Sequence, residues 1–279
     1  MSISAADVMA LRNKTNAPMM ECKAALIEAG GDMEKATEIL RKKSKDIQVK
    51  RGDRETAEGR IAVYVDSAQK VAAIVELRCE SAPVAKTEAF VKLGNDIARQ
   101  AAVGNPASVE ALLSQQVAPG KTVTDRIDET HATIREIMKV QRFTRVTGTT
   151  GDYTHHDGTL GVLVLVEGTV NDPQVLRDVC MHIAARNPVA ATLADVPAAV
   201  IDKEKEIARD QLASDPKNKN KPPQIMEKIL EGKLKTWLAE NVLVEQPFVK
   251  DDSKTVGQLL AQNGLKLEKF IRYRVGELS

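Results

Sequence analysis

The side chains in this 279-residue chain best suited to chemistry stand in succession at His155, His156 and Asp157. Two imidazoles and a carboxylate offer metal ligands or an acid–base pair. Adjacent side chains in a strand point to opposite faces, however, so the two histidines would not readily share one metal ion, and a carboxylate from elsewhere would be needed. A hydrolase or metal enzyme built on His155 and His156 is therefore the weakest reading; surface hairpin residues or a protein contact fit better. No glycine-rich phosphate loop leads into a helix. Asp and Glu are abundant but lie at solvated helical positions, and no acid–base pair stands out. The three cysteines, Cys22, Cys79 and Cys180, are far apart, odd in number and free of any CxxC spacing. Neither a zinc site nor a disulfide framework is expected, and each reads as a small buried hydrophobe. No metal, cofactor or catalytic residue is assigned, and the residues favour a binding protein over an enzyme.

The composition agrees. Apolar residues at 43% build cores, but aromatics at 3% require those cores to be made of Ala, Val, Ile and Leu. Forty basic residues nearly cancel 39 acidic ones, which argues against a protein that coats nucleic acid through a net basic surface. The densest basic stretch, Arg41 to Arg54, has two readings, RNA contact and solvated linker, of which the linker is favoured. No signal peptide and no membrane span is expected, and the expected location is the cytoplasm.

The elements that must position these residues begin with a small three-helix module over residues 1–43. Ser4 to Lys14 forms the first helix, with Val8 and Leu11 inward. Met20, Ala24 and Ile27 fall one turn apart in the second; Met33, Ala36, Ile39 and Leu40 do so in the third, after a Gly30-Gly31 break. Pro18 suits a first helical turn, Glu21 the positive end of the helix dipole, and Asp32 a cap. A polar joint is expected at 44–58. From Gly59 the period changes to two. Ile61, Val63 and Val65 alternate with Arg60, Ala62 and Tyr64; after a turn at Asp66-Ser67, Val71, Ala73, Val75, Leu77 and Cys79 line one face of a second strand. Helices are expected at 84–103, 108–116 and 123–140, the first stopped by Gly104-Asn105-Pro106.

A second unit from residue 142 follows a similar plan. Strand segments are broken by Gly148 and Gly151, a turn follows at 156–158, and Leu160 to Val166 is an apolar strand expected to be covered on both faces. A helix over 172–185 then stops at Arg186-Asn187-Pro188. Duplication and chance similarity of short Ala-rich helix ends are both open readings. A helical hairpin is inserted at about 198–240, with Pro222 and Pro223 starting its second arm. A helix over 255–262 and a strand over 266–275 close the chain. The fold class is α+β, with first and second core subdomains at 59–141 and 142–279.

The run Leu11-Arg12, Thr15, Met19-Met20-Glu21-Cys22-Lys23 and Ala25-Leu26 resembles the N-terminal signature of the translation elongation factor Ts family. The resemblance continues in order through Ala57-Glu58-Gly59, Glu76 to Cys79, Val84-Ala85-Lys86, Phe90, Tyr153 with His155, Gly161 to Val164, Met181-His182-Ile183-Ala184-Ala185, Gln246 to Val249, Ser253 to Leu260, and Phe270-Ile271-Arg272 with Val275-Gly276-Glu277. It implies a UBA-like N-terminal module, antiparallel sheets in both subdomains, and a guanine-nucleotide exchange factor. Its partner would be elongation factor Tu, in GDP-bound and nucleotide-free forms, with no nucleic-acid or membrane partner. Interface residues implied by position are Arg12, Pro18, Met19 and Met20 in the module, the magnesium-dislocating loop Ser81-Ala82-Pro83-Val84, and secondarily Ile134 and His155. The bland readings of those last two are a core helix residue and a hairpin-tip residue. The hairpin is expected to reach either Tu or a second copy of the chain.

One departure from the family pattern matters. Where members usually carry Thr-Asp-Phe-Val, this chain has Ser81-Ala82-Pro83-Val84, without the acidic group and the aromatic wedge. A Pro still fixes the loop but supplies neither the volume nor the charge. An exchange-competent loop is the favoured reading; a Tu-binding scaffold with weak or no exchange is the alternative. Members often carry a further helix after the last strand, whereas Ser279 comes soon after it here.

Overall fold

Apolar residues repeating every third or fourth position build the first three helices, α1 (Ala5–Thr15), α2 (Met19–Glu28) and α3 (Met33–Arg51). The computed structural model describes residues 3–15, 17–51, 55–215 and 221–277. Asp32 caps α3 as expected, accepting the N–H groups of Glu34 and Lys35 at 2.9 and 3.1 Å. α3 continues to Arg51, so the expected joint at 44–58 is helical in its first half. The rest of the basic stretch, residues 52–54, lies outside the described residues.

The inward face of α2 differs from expectation. Cys22, Ala25 and Leu26 are fully buried against Val8, Leu11, Ala36 and Leu40. Met20 and Ile27 are instead 75% and 61% exposed, and Ala24 is exposed. α2 is apolar on two sides, and periodicity does not choose between them.

Period-two alternation produces β1 (Glu58–Asp66) and β2 (Val71–Cys79), paired antiparallel from Glu58↔Cys79 to Asp66↔Val71. Where the sequence predicts one helix over 84–103, Thr87 interrupts it. A short α4 (Ala82–Ala85) precedes α5 (Glu88–Gly104), whose N-cap is Thr87. After α6 (Val109–Ser114) and a small ribbon of β3 (Gln116–Ala118) and β4 (Lys121–Thr122), α7 runs Val123–Ile134. The expected helix over 123–140 thus ends early. Arg135 adopts a left-handed conformation at φ 67°, and the chain turns into β5 (Lys139–Thr147), which pairs with β2. The expected division between 141 and 142 therefore falls inside a strand, and the first sheet keeps the chain to Thr147.

β6 (Thr149–Thr154), β7 (Leu160–Glu167) and β10 (Lys266–Arg274) form the second sheet in the order β10-β7-β6, all antiparallel. α8 (Pro173–Arg186), capped by Asp172, covers it with α11 (Val256–Gln262), which follows the β8 (Pro247–Phe248) and β9 (Asp251–Thr255) ribbon. The two sheets pack face to face through Ile61, Ala72, Ile74, Val146, Leu163 and Tyr273. α5 and α7 close the outer side of the first sheet, giving helix, sheet, sheet, helix layers. α9 (Ala198–Ser214) and α10 (Pro223–Asn241) are the arms of the helical hairpin. Its seam buries Ala208 and Leu212 while Ile207 faces outward, and its base packs Val200, Ile201, Trp237 and Leu238 on Ala190, Val196 and Val242.

Candidate partner-binding surface

The loop after β2 is held by backbone and side-chain bonds on every side. The Ser81 N–H donates to Glu136 Oε2 at 3.0 Å, and its hydroxyl donates to Glu136 Oε1 at 2.5 Å. Its carbonyl accepts the Ala85 N–H and the Cys79 thiol, both at 3.3 Å. Burial, and next the charge of Glu136, push the Cys79 thiol up to about 11, so it remains a protonated donor. Glu80 answers in the other direction, its Oε1 accepting the Ile137 N–H at 2.8 Å. On this base Ala82 and Pro83 are exposed, whereas Val84 is half-buried against the first core.

α7 carries the neighbouring groups. Ile134 at its end is half-buried against the same core. Arg135 donates to Glu21 of α2 at 2.8 Å, and Arg41 of α3 pairs with Asp125 at the start of α7. The backbone N–H and hydroxyl of Thr122 hold the Asp125 carboxyl below the usual carboxylate range, with Arg41 adding to the effect. Arg41, assigned by its charge run to a solvated linker, is thus partnered. Between module and helix lies a cleft of about 550 Å³, lined by Lys14, Glu21, Arg41, Asp128, His131 and Arg135 among others.

The module's outer surface presents the other expected residues. Arg12 is exposed, Pro18 is half-buried as the residue preceding α2, and Met19 and Met20 are 45% and 75% exposed. The bonds from Glu21 to Arg135, and from Glu136 to Ser81, bring the start of α2, the end of α7 and the loop together.

His155 sits apart, just beyond β6 in the second sheet. It is half-buried, with Nδ1 3.0 Å from the Tyr153 hydroxyl. Because the strand ends at Thr154, alternation no longer separates the histidines, and their rings lie 4.3 Å apart. Among the described residues, no three His, Cys, Asp or Glu side chains are grouped to hold a metal ion. No described helix is long and apolar enough to cross a membrane.

Sequence reasoning missed Glu80, Glu136, Arg135 and Glu21. Their contacts span 55 to 114 positions and have no local signature.

Comparison with known proteins bears on the whole arrangement. A family model described as elongation factor TS matches residues 80–277. The chain is 43% identical over 281 residues to a protein named elongation factor Ts from Thioalkalivibrio sulfidiphilus, covering 99% of this chain and 93% of that one. It is 42% identical to the protein of that name from Methylococcus capsulatus, with the same coverage, and 40% identical to that from Kineococcus radiotolerans, covering 98% of each chain.

Proposed function

Because the chain belongs to the elongation factor Ts family, we propose that it is a guanine-nucleotide exchange factor for elongation factor Tu. It binds Tu·GDP, weakens the magnesium and phosphate contacts, and lets GDP leave so that GTP rebinds. The thermodynamics are those of differential binding. A partner that prefers the empty GTPase lowers nucleotide affinity by the same factor that nucleotide lowers its own binding. No bond is made or broken, so the chain is not an enzyme in the usual sense.

The observation that carries this reading is the fixed loop with Ala82 and Pro83 outward, tied through Arg135 and Glu136 to the helix that exposes Met19 and Met20. Rigid presentation favours the push such a factor exerts, since a preorganised element loses less entropy on docking. Release of labelled GDP from Tu, with and without this protein, tests it. Acceleration at micromolar concentration is expected, and its absence counts against the proposal. Replacing Ser81–Val84 by a Gly-Ser linker should slow release by about tenfold, the scale of an ordinary coupling energy. An unchanged rate removes the loop from the mechanism.

A second reading keeps the binding and drops the exchange. The small side chains of Ala82 and Pro83 favour it, since they bring neither charge nor an aromatic wedge to the partner. Tight binding with unaltered GDP release would select it.

A further inference from the structure

We propose that Glu136 is a positioning residue for the exchange loop, its carboxylate setting the conformation in which Ala82 and Pro83 meet the GTPase. The inference rests on the exchange reading above.

Ser81 precedes α4 as its N-cap, but its own side chain makes no capping bond. A carboxylate 55 positions away does the fastening instead, taking both the N–H and the O–H of Ser81. The 2.5 Å separation at the hydroxyl is in the range of a charge-assisted bond. Glu136 is itself fixed. Its carbonyl lies 2.8 Å from Nδ1 of His131, which is 2% exposed, and a carbonyl only accepts, so Nδ1 carries the proton. The preceding residue, Arg135, is held by its N–H to the His131 carbonyl at 2.7 Å. The reciprocal Glu80–Ile137 bond closes a double stitch between the two segments.

Stiffness matters here because the loop has little else to push with. A loose segment must be ordered on docking, and its lost conformational entropy counts against the docked state. A loop that brought an aromatic wedge and an acid would offset that cost with its own contacts. Ala82 and Pro83 have far less surface with which to do so, so the ordering is done in advance by Glu136. The residues that the family resemblance places against the GTPase lie mostly outside the loop, at Arg12, Pro18, Met19, Met20, Ile134 and His155, so a loosened loop is expected to slow nucleotide displacement more than it weakens binding.

The test measures maximal GDP-release rate from Tu and the concentration giving half of it, together with thermal unfolding of each variant. Glu136→Ala should lower the maximal rate by about fivefold, the effect of losing one cap. The half-maximal concentration should stay within about twofold, because uniform binding is untouched. Glu136→Gln should restore most of the rate, since its amide oxygen accepts the Ser81 N–H and its NH2 donates to the Ser81 hydroxyl oxygen, keeping both links. In protein already carrying the Gly-Ser loop, Glu136→Ala should change nothing further. If the loop replacement slows release but Glu136→Ala does not, this inference fails while the exchange reading stands. A second full loss in the loop-replaced background also overturns it, because Glu136 would then act elsewhere. If loop replacement itself leaves release unchanged, the loop reading fails first. Should Glu136→Ala unfold at the assay temperature, Ser81→Ala carries the test. It removes one of the two bonds, and an unchanged maximal rate in it overturns the proposal.

Discussion

The two sheet-and-helix units end their main helices in the same way and bury opposite kinds of polar group. α5 stops at Asn105 and α8 at Asn187, each left-handed at φ 46° and each followed by Pro. That is the common left-handed helix stop, which two unrelated helices reach independently as readily as two copies do. In the first unit the fully buried group is charged. Glu76 lies 2.7 Å from both Arg78 Nε and Arg142 Nε, and accepts the Gly276 N–H at 3.1 Å. Arg142 reaches on to the Glu277 carbonyl and stacks over the Tyr273 ring. In the second unit the buried group is neutral. His182 Nδ1 accepts the Val249 N–H at 3.1 Å, and Nε2–H donates to Gln246 Oε1 at 2.8 Å, with Gln246 Nε2 in turn donating to the Glu240 carbonyl at the end of α10. The charged centre needs partners from both units and so locks them together. The neutral one fastens a local joint, the base of the helical hairpin.

The sharpest way to break this contrast is Glu76→Ala. It strands two guanidiniums that are only 14% and 18% exposed, and should cost about 3–5 kcal/mol in urea unfolding. A cost below about 1 kcal/mol would show the network to be effectively solvated and the units not interlocked by it.

Close helix–sheet approach separates the units next. In the second unit the accommodating glycine is on the strand: a Cβ at Gly151 would stand 2.3 Å from Leu176 Cβ and 3.3 Å from its backbone. In the first it is on the helix, where a Cβ at Gly94 would meet Ala62 Cβ at 3.3 Å. Gly151→Ala should therefore destabilise by about 1–3 kcal/mol. Gly94→Ala should come out near zero, because about 1 kcal/mol of helix propensity offsets the tight contact. Equal costs at the two sites would erase the distinction.

The smallest effect expected is with pH. Burial holds His182 below its ordinary value of 6.5. The unfolded chain then binds the proton more readily, so this contribution to stability is complete above 6.5 and is lost as pH falls through that value toward the depressed one. Thermal midpoints followed downward from pH 8 should fall in that window, and His182→Gln should flatten that part of the profile. A profile identical in the variant would mean that His182 is not the titrating group.

Local rules were legible where one side chain decides the matter. Asp32 caps a helix, Asn105 and Asn187 end two others, and Pro222 and Pro223 start the second hairpin arm where expected. The failures fall where two local answers are equally good. α2 has apolar residues on two sides, and docking against α1 and α3 chose Cys22, Ala25 and Leu26 over Met20, Ala24 and Ile27. The stretch from Val123 to Val140 reads as one helix, yet Ile137 and Met138 are buried just ahead of, and Val140 within, the strand that completes the first sheet. The proposed interface residues came from family resemblance, and the fastening beneath the loop, Glu136 on Ser81, had no trace in either segment alone.

The order and type of most elements, the caps and stops, the absence of catalytic motifs and the family itself were set by the amino-acid sequence, because each depends on neighbours within a few positions or on dispersed residues kept in order. Tertiary structure alone decided which face of α2 is free, where β5 belongs, and that Glu21, Ser81, Arg135 and Glu136 meet. Burial and pairing between distant segments outweigh local preference there, since a buried charge or apolar face finds its partner only after the chain has folded.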